Sequence, residues 1–391
     1  MVVCLLSAAC GAGPEHSPEA PTTTATVPAV GVDADPVFVT AIDEAVTVNA
    51  ASDGDEIALA WITHDGVSTA MVDPTTGVLG DHRTVNGSIT PIAHPIERPA
   101  LVFRDDGALD VAFTSFVGDG ASVYLSRDGA EPEAISGPAR PETNLVHMTP
   151  DQEGGLWMTW LEDSTLSVAR ERGDEVVEQE GVDDLTCDCC HPVPTVVGDT
   201  LVVSYRDLET VDGAVVRNAA VVRSVDGGET FEPALGVADE DWYIDGCPFT
   251  GPSAVEVDGT IVLAWMDARQ SLHPDQSDSS IWVDRSTDVG ASFGVDLRVT
   301  DGGSHRWPIL VVDRRSLIHM VWETVGPDGG LSYAWSDDSG RSFSDPVLLV
   351  GRAMSGGSAP ASPSAVVHDR LLVVTWAARG TGYVAAWPID G

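Results

Sequence analysis

Three copies of one octapeptide constrain this chain more than anything else in it: SVDGGETF at 224–231, STDVGASF at 286–293 and SDDSGRSF at 336–343. Each reads Ser-x-Asp-x-Gly-x-Ser/Thr-Phe. In such a unit an Asp carboxylate bonds backbone N–H groups across a tight turn, Gly takes the conformation that a β-carbon forbids, and Phe anchors the turn in a core. A motif that returns in register three times marks a repeat architecture, in which each unit buries its apolar face only against its neighbours.

A second, independent repeat sets the size of the unit. Apolar runs ending in an aromatic recur at IALAW (57–61), LDVAF (109–113), LWMTW (156–160), LVVSY (201–205), IVLAW (261–265), IHMVW (318–322) and LVVTW (372–376). Their terminal residues lie 45 to 60 residues apart, the length of a four-stranded propeller blade with its loops. Each run follows another strand through a short turn, as in VEVDGT (255–260) or VFRDDG (102–107). This predicts an A–B hairpin in every unit.

The octapeptide resembles the Asp-box, or BNR repeat, of sialidase-like β-propellers, and the resemblance covers nearly the whole of 36–391. It implies an all-β fold. The hairpin count predicts seven blades; six, the number of the sialidase propeller, is the alternative. The last unit, from 364, runs out of chain after three strands, and PVFVT (36–40) is expected to supply the fourth and close the ring, removing two exposed edges. Alternating strand direction sorts the connections. The A–B turns and octapeptides fall on one face, as scaffold, and the D–A and B–C connections on the other.

Residues 1–10, MVVCLLSAAC, resemble the end of a bacterial lipoprotein signal with its lipobox, which makes Cys10 the lipidated residue. Residues 11–35 are rich in Pro, Thr and Ala and read as an extended tether. The expected location is therefore extracytoplasmic, with the membrane reached through the lipid anchor only. The propeller is expected to be monomeric. Its formal charge of −41, with 61 acidic residues and 20 basic residues that are all Arg, repels nucleic acid and excludes lysine-dependent chemistry.

The unusual residues gather on the D–A and B–C face. CDCCHP (187–192), GCPFTGP (246–252), SHRWP (304–308) and ERP (97–99) precede strand A in four different blades. Cys187, Cys189, Cys190 and Cys247 read either as disulfides, Cys187–Cys190 being the easiest short-range pair, or, with His191 and His305, as a thiolate and imidazole site for Cu or Zn. The CxCC…GCP…GP arrangement also looks like that of exported bacterial proteins grouped with sialidases on their Asp-boxes.

Sialidase chemistry asks for an Arg cluster on the substrate carboxylate, a Tyr activated by a carboxylate as nucleophile, and an acid. The resemblance points to Arg98, Arg206, Arg269, Arg306, Tyr243, Asp267 and Glu323 for these roles. IERPA (96–100) departs from the Phe/Tyr-Arg-Ile-Pro signature of the family. Trp242, Trp307 and His273 are candidate binding residues, the first two standing outside the blade-core aromatics. His147, in strand A of blade three, is placed to face the channel, and His319, inside a B strand, to lie in the core. The expected function is a glycan-acting propeller of exo-sialidase type; the alternative is a non-catalytic module binding a glycan, a protein or a metal at the channel mouth.

Overall fold

The computed structural model describes residues 31–32, 35–141, 143–173, 175–244, 246–270 and 278–390. Cys10, His273 and most of the expected tether lie outside them. Among the described residues seven antiparallel blade sheets are present, beside one two-stranded hairpin of Glu209–Val211 with Ala214–Val216, so the seven-bladed reading holds and the six-bladed one does not. The inner strands, in blade order, are Thr47–Ser52, Ala100–Phe103, Asn144–Pro150, Val193–Val197, Ser253–Val257, Ser304–Val312 and Ala361–His368. Each pairs with its B strand in the expected hairpin. No helix among the described residues is long and apolar enough to cross a membrane.

The ring closes through the seventh sheet. Its third strand, Thr381–Asp390, pairs on its outer edge with Phe38–Asp43, in the register Phe38↔Ala386 to Asp43↔Thr381. Closure by the amino-terminal strand is therefore as expected, two residues further along than PVFVT begins. Gly31–Val32, inside the segment read as tether, adds a second short pairing, with Asp390 and Ile389. Uniting both ends of the chain in one sheet leaves no blade with an unpaired edge between the ends of the ring.

Packing follows the ring. The apolar side chains fall into seven clusters, one for each pair of neighbouring blades, including blades seven and one. B strands, sandwiched between neighbours, are almost continuously buried and read as apolar runs. Trp160, Trp265, Trp322 and Trp376, the run-ending indoles, are fully buried. His319 is also fully buried and its Nδ1 lies 2.8 Å from the Tyr333 hydroxyl, as befits a core histidine.

The three octapeptides form one turn three times over, between strands C and D of blades four, five and six. Ser224, Ser286 and Ser336 each donate to the Asp two residues on at 2.8 Å. Asp226, Asp288 and Asp338 in turn accept from the backbone N–H and hydroxyl of the residue four further on. Gly290 shows why glycine is needed: its φ is +78°, and an added Cβ would come within 3.2–3.3 Å of Val202 in the preceding blade. These turns therefore stitch neighbouring blades together.

Candidate active and binding site at the channel mouth

Strand A is the inner edge of each sheet, and the sequence marks where it begins. Pro99, Pro192, Pro252, Pro308 and Pro363 stand at that entry in five blades. Proline suits an edge because it carries no N–H that would go unpaired there. The residues before these prolines are Arg98, His191, Gly251, Trp307 and Ser362; the first four line the cavity, and Ser362 donates to the Pro95 carbonyl at 2.7 Å. In blades three, six and seven the entry is bulged, with register shifts at Asn144/His147, Arg306/Ile309 and Ala361/Ser364. Leu145, Trp307 and Ser362 have φ of +61°, +57° and +54° there. A left-handed backbone is costly for a tryptophan and tends to occur where function needs a side chain re-aimed.

Within the ring lies a cavity of about 320 Å³, and Arg98, His147, His191, Thr250 and Trp307 line it with the inner strands. The Arg98 guanidinium sits 4.9 Å from the Trp307 ring centre, a cation–π arrangement. Trp307 is held by its own N–H donating to Thr250 Oγ1 at 3.2 Å and its indole N–H donating to the Phe249 carbonyl. The buried Nε of Arg98 has no hydrogen-bond partner among the described residues. Burial lowers its pKa to about 10, against the opposing pull of the Glu323 charge.

Two imidazoles share this mouth. His147 Nδ1 and His191 Nε2 are buried without hydrogen-bond partners among the described residues. Burial is the main reason both resist protonation, with the Arg98 charge adding to it; His147 falls to about 4 and His191 well below its usual value. Among the described residues the mouth thus combines one cation with an unused N–H, a stacking indole and two neutral rings with unused nitrogens. A carboxylate, which accepts several hydrogen bonds at once, complements that set.

Other expected site residues are committed elsewhere. Arg206 is fully buried, and its Nε and both terminal nitrogens donate to the carbonyls of Thr250, Arg217 and Met266 at 2.7–3.2 Å. Arg269 is clasped by Asp267 and Asp296 and lies against the rings of Trp265 and Trp282. Asp267 is spent on Arg269 and the Trp265 indole. Arg206, Arg269 and Asp267 are therefore packing elements, not members of a carboxylate grip, because the ends of their B strands turn into blade interfaces. Trp242 is fully buried beneath Arg206. Tyr243 is exposed, and its hydroxyl donates to Asp241 at 3.2 Å. Arg306 and Glu323 pair across the strands at 2.9 Å, Arg306 being partly exposed.

The sulfur cluster assembles as the blade equivalence implied. Cys187, Cys189, Cys190 and Cys247 have all four sulfurs within 4.8 Å of one another, and Cys189 and Cys247 form a disulfide. Cys187 and Cys190 are unbonded, 3.2 Å apart. The imidazoles of His191 and His305 are not in this group. His305 instead lies 2.7 Å from the Gly302 carbonyl and accepts from the Trp322 indole, because the bulge after it turns Trp307, not His305, into the mouth.

Two residues of the site escaped the sequence reading. Glu97, buried beside Arg98, accepts from Thr114 Oγ1 at 2.8 Å and from the Leu145 N–H at 3.3 Å. Burial raises its pKa to about 7. Thr250 ties the cavity to the blade beside the cysteines: its carbonyl accepts from Arg206 and its hydroxyl from Trp307. The sequence signal for both was available, since each stands two residues before an entry proline.

No protein-family model matches the chain, and no curated protein matches it. Among solved structures, an ulvan lyase bound to an oligosaccharide of glucuronate and sulfated rhamnose is 12% identical, with 92% of this chain and 96% of that one covered and a TM-score of 0.59. A fungal alcohol oxidase in complex with copper is 12% identical over 93% of this chain and 77% of its own, at a TM-score of 0.56. A sialidase from the Hadza microbiome is 14% identical over 87% and 74%, at a TM-score of 0.48. At these identities the likeness is one of fold alone: the chain is a seven-bladed β-propeller.

Proposed function

We propose that this protein recognises an acidic glycan, with a sugar carboxylate seated at the channel mouth against Arg98 and Trp307. One observation carries the reading: a guanidinium stacked on an indole at the cavity wall, its buried Nε without a hydrogen-bond partner among the described residues. Burying a cation is costly; the Glu323 charge opposes that cost without cancelling it, since the Arg98 pKa still falls to about 10, and a bound carboxylate reduces what remains. The indole offers a flat face to a sugar ring, and the neutral His147 and His191 offer hydrogen bonds to its hydroxyls. One protein of similar fold is bound to a glucuronate-containing oligosaccharide, which agrees with this class of ligand. The extracytoplasmic location expected from Cys10 would place such a site where glycans are met.

Hydrolysis in the sialidase manner has weaker support. Of the four arginines expected in the grip, Arg206 and Arg269 are bound to internal partners, and Tyr243 faces Asp241 and solvent. Recognition of one carboxylate is what the remaining set sustains. Calorimetric titration with sialyl, glucuronate-terminated and neutral oligosaccharides tests it, beside turnover of a fluorogenic sialoside. Acidic ligands are expected to bind and Arg98→Ala to weaken them about 100-fold, a loss of ~3 kcal/mol. Equal binding of neutral sugars, or indifference to Arg98→Ala, would overturn the reading.

A further inference from the structure

Arg206 and Arg217 are two guanidiniums beside the cysteine cluster, and neither has a carboxylate partner among the described residues. Arg206 is fully buried and makes only main-chain hydrogen bonds. Arg217 is partly buried, its Nη1 donates to Cys187 Sγ at 3.1 Å, and its Nε has no partner. Uncompensated buried cations are strongly destabilising, so negative charge belongs in the cluster between them. Two disulfides would leave the four sulfurs neutral.

Four thiolates around a divalent cation carry a net charge of two minus, which the two guanidiniums offset. A tetrahedral site with metal–sulfur bonds of about 2.3 Å places its sulfurs about 3.8 Å apart. Here Cys187, Cys189 and Cys190 lie 3.2–3.9 Å from one another, with Cys247 adjoining. A hydrogen bond to the sulfurs is also in place, from the Arg217 guanidinium to Cys187 Sγ at 3.1 Å. Such donors orient and stabilise metal thiolates.

We propose that in its reduced form the cluster binds one zinc-class divalent ion through Cys187, Cys189, Cys190 and Cys247, and that the Cys189–Cys247 disulfide is the metal-free, oxidised state of the same site. The interconversion balances with an external thiol as reductant: two thiols give two hydrogens and become one disulfide, Cys189 and Cys247 become thiols, and zinc displaces the protons of all four. The ion would clamp the 187–192 connection to the 246–252 connection. At that junction Gly251 already approaches His191 so closely that a Cβ would sit 2.2 Å from its carbonyl oxygen. The metal would be structural, holding His191 and Thr250 at the channel mouth.

The test uses the full chain, purified with a thiol reductant and without added oxidant. Elemental analysis is expected to find one zinc per chain, and Co(II) added in its place should give the intense visible and near-ultraviolet bands of tetrahedral cobalt thiolate. Arg217→Met is expected to weaken Co(II) binding about 10–100-fold while leaving the four thiols of the cluster titratable, beside those of Cys4 and Cys10. A chain that takes up no Co(II) although all six of its thiols titrate would overturn the proposal. So would Co(II) bands that persist in full in Cys247→Ser, since the ligand set would then be a different one. Should Cys247→Ser not fold, the wild-type Co(II) spectrum decides.

Discussion

The two faces of the ring are built on opposite plans. On one, the octapeptides of blades four, five and six repeat the same hydrogen bonds, the Ser–Asp distance included. On the other, the residues before the entry prolines are Arg98, His191, Gly251, Trp307 and Ser362, no two alike. Repetition serves a task every blade shares, which is to bond to its neighbour. Variation appears where side chains from different blades converge on one cavity, and there each position answers to the others and to a guest. Positive φ occurs on both faces, at Val289 and Ser339 in the octapeptides and at Trp307 and Ser362 in the entries, but only at the entries does it sit beside Arg98, His147 and His191, whose buried nitrogens have no partner among the described residues.

The comparison can be broken at four places. Arg206 has the largest expected effect. If it is packing and not grip, Arg206→Leu leaves three carbonyls without their donor and destabilises the fold by about 3–5 kcal/mol in urea titration. Loss of ligand binding with unchanged stability would move it back to the site. Arg98→Ala should do the reverse, removing about 3 kcal/mol of acidic-glycan affinity with a thermal midpoint shifted little or upward.

Gly290→Ala, on the repetitive face, should cost about 1–2 kcal/mol through its left-handed backbone and leave binding untouched. Altered affinity there would end the division between faces. The smallest effect concerns pH. Because the folded state holds His147 at about 4, below the value of 6.5 for a free histidine, the unfolded chain binds more protons between those limits. Stability contributed by neutral His147 is present above pH 6.5 and lost as pH falls toward 4. His147→Gln should flatten the slope of stability in that window, and an unchanged slope would show that the imidazole is solvated. Glu97, raised to about 7 by burial, acts with the opposite sign, its contribution being lost as pH rises from 4.5 through 7, so Glu97→Gln separates the two.

Much of the fold was legible. Trp61, Phe113, Trp160, Tyr205, Trp265, Trp322 and Trp376 announced seven B strands because a strand buried on both faces must be apolar along its length. The meeting of Cys247 with Cys189 was legible too, since equivalent loops of neighbouring blades share one face. Arg206 and Arg269 were misread because a B strand's last residue can turn toward the channel or into the blade interface, and position alone does not say which. The pairing of Arg98 with Trp307 was hidden for a related reason. It joins blades two and six through a bulge that no local pattern announces.

What the sequence by itself determined is the ring: period, strand type, turn chemistry and closing strand are local properties, set by side-chain alternation and by what Ser, Asp and Gly do within eight residues. What only the tertiary structure decided is which polar groups find partners. Arg206 is saturated and Arg98 is not, although both are arginines near the same mouth. Whether a buried charge is satisfied depends on acceptors contributed from distant blades, and these come within hydrogen-bonding range only once the ring has closed.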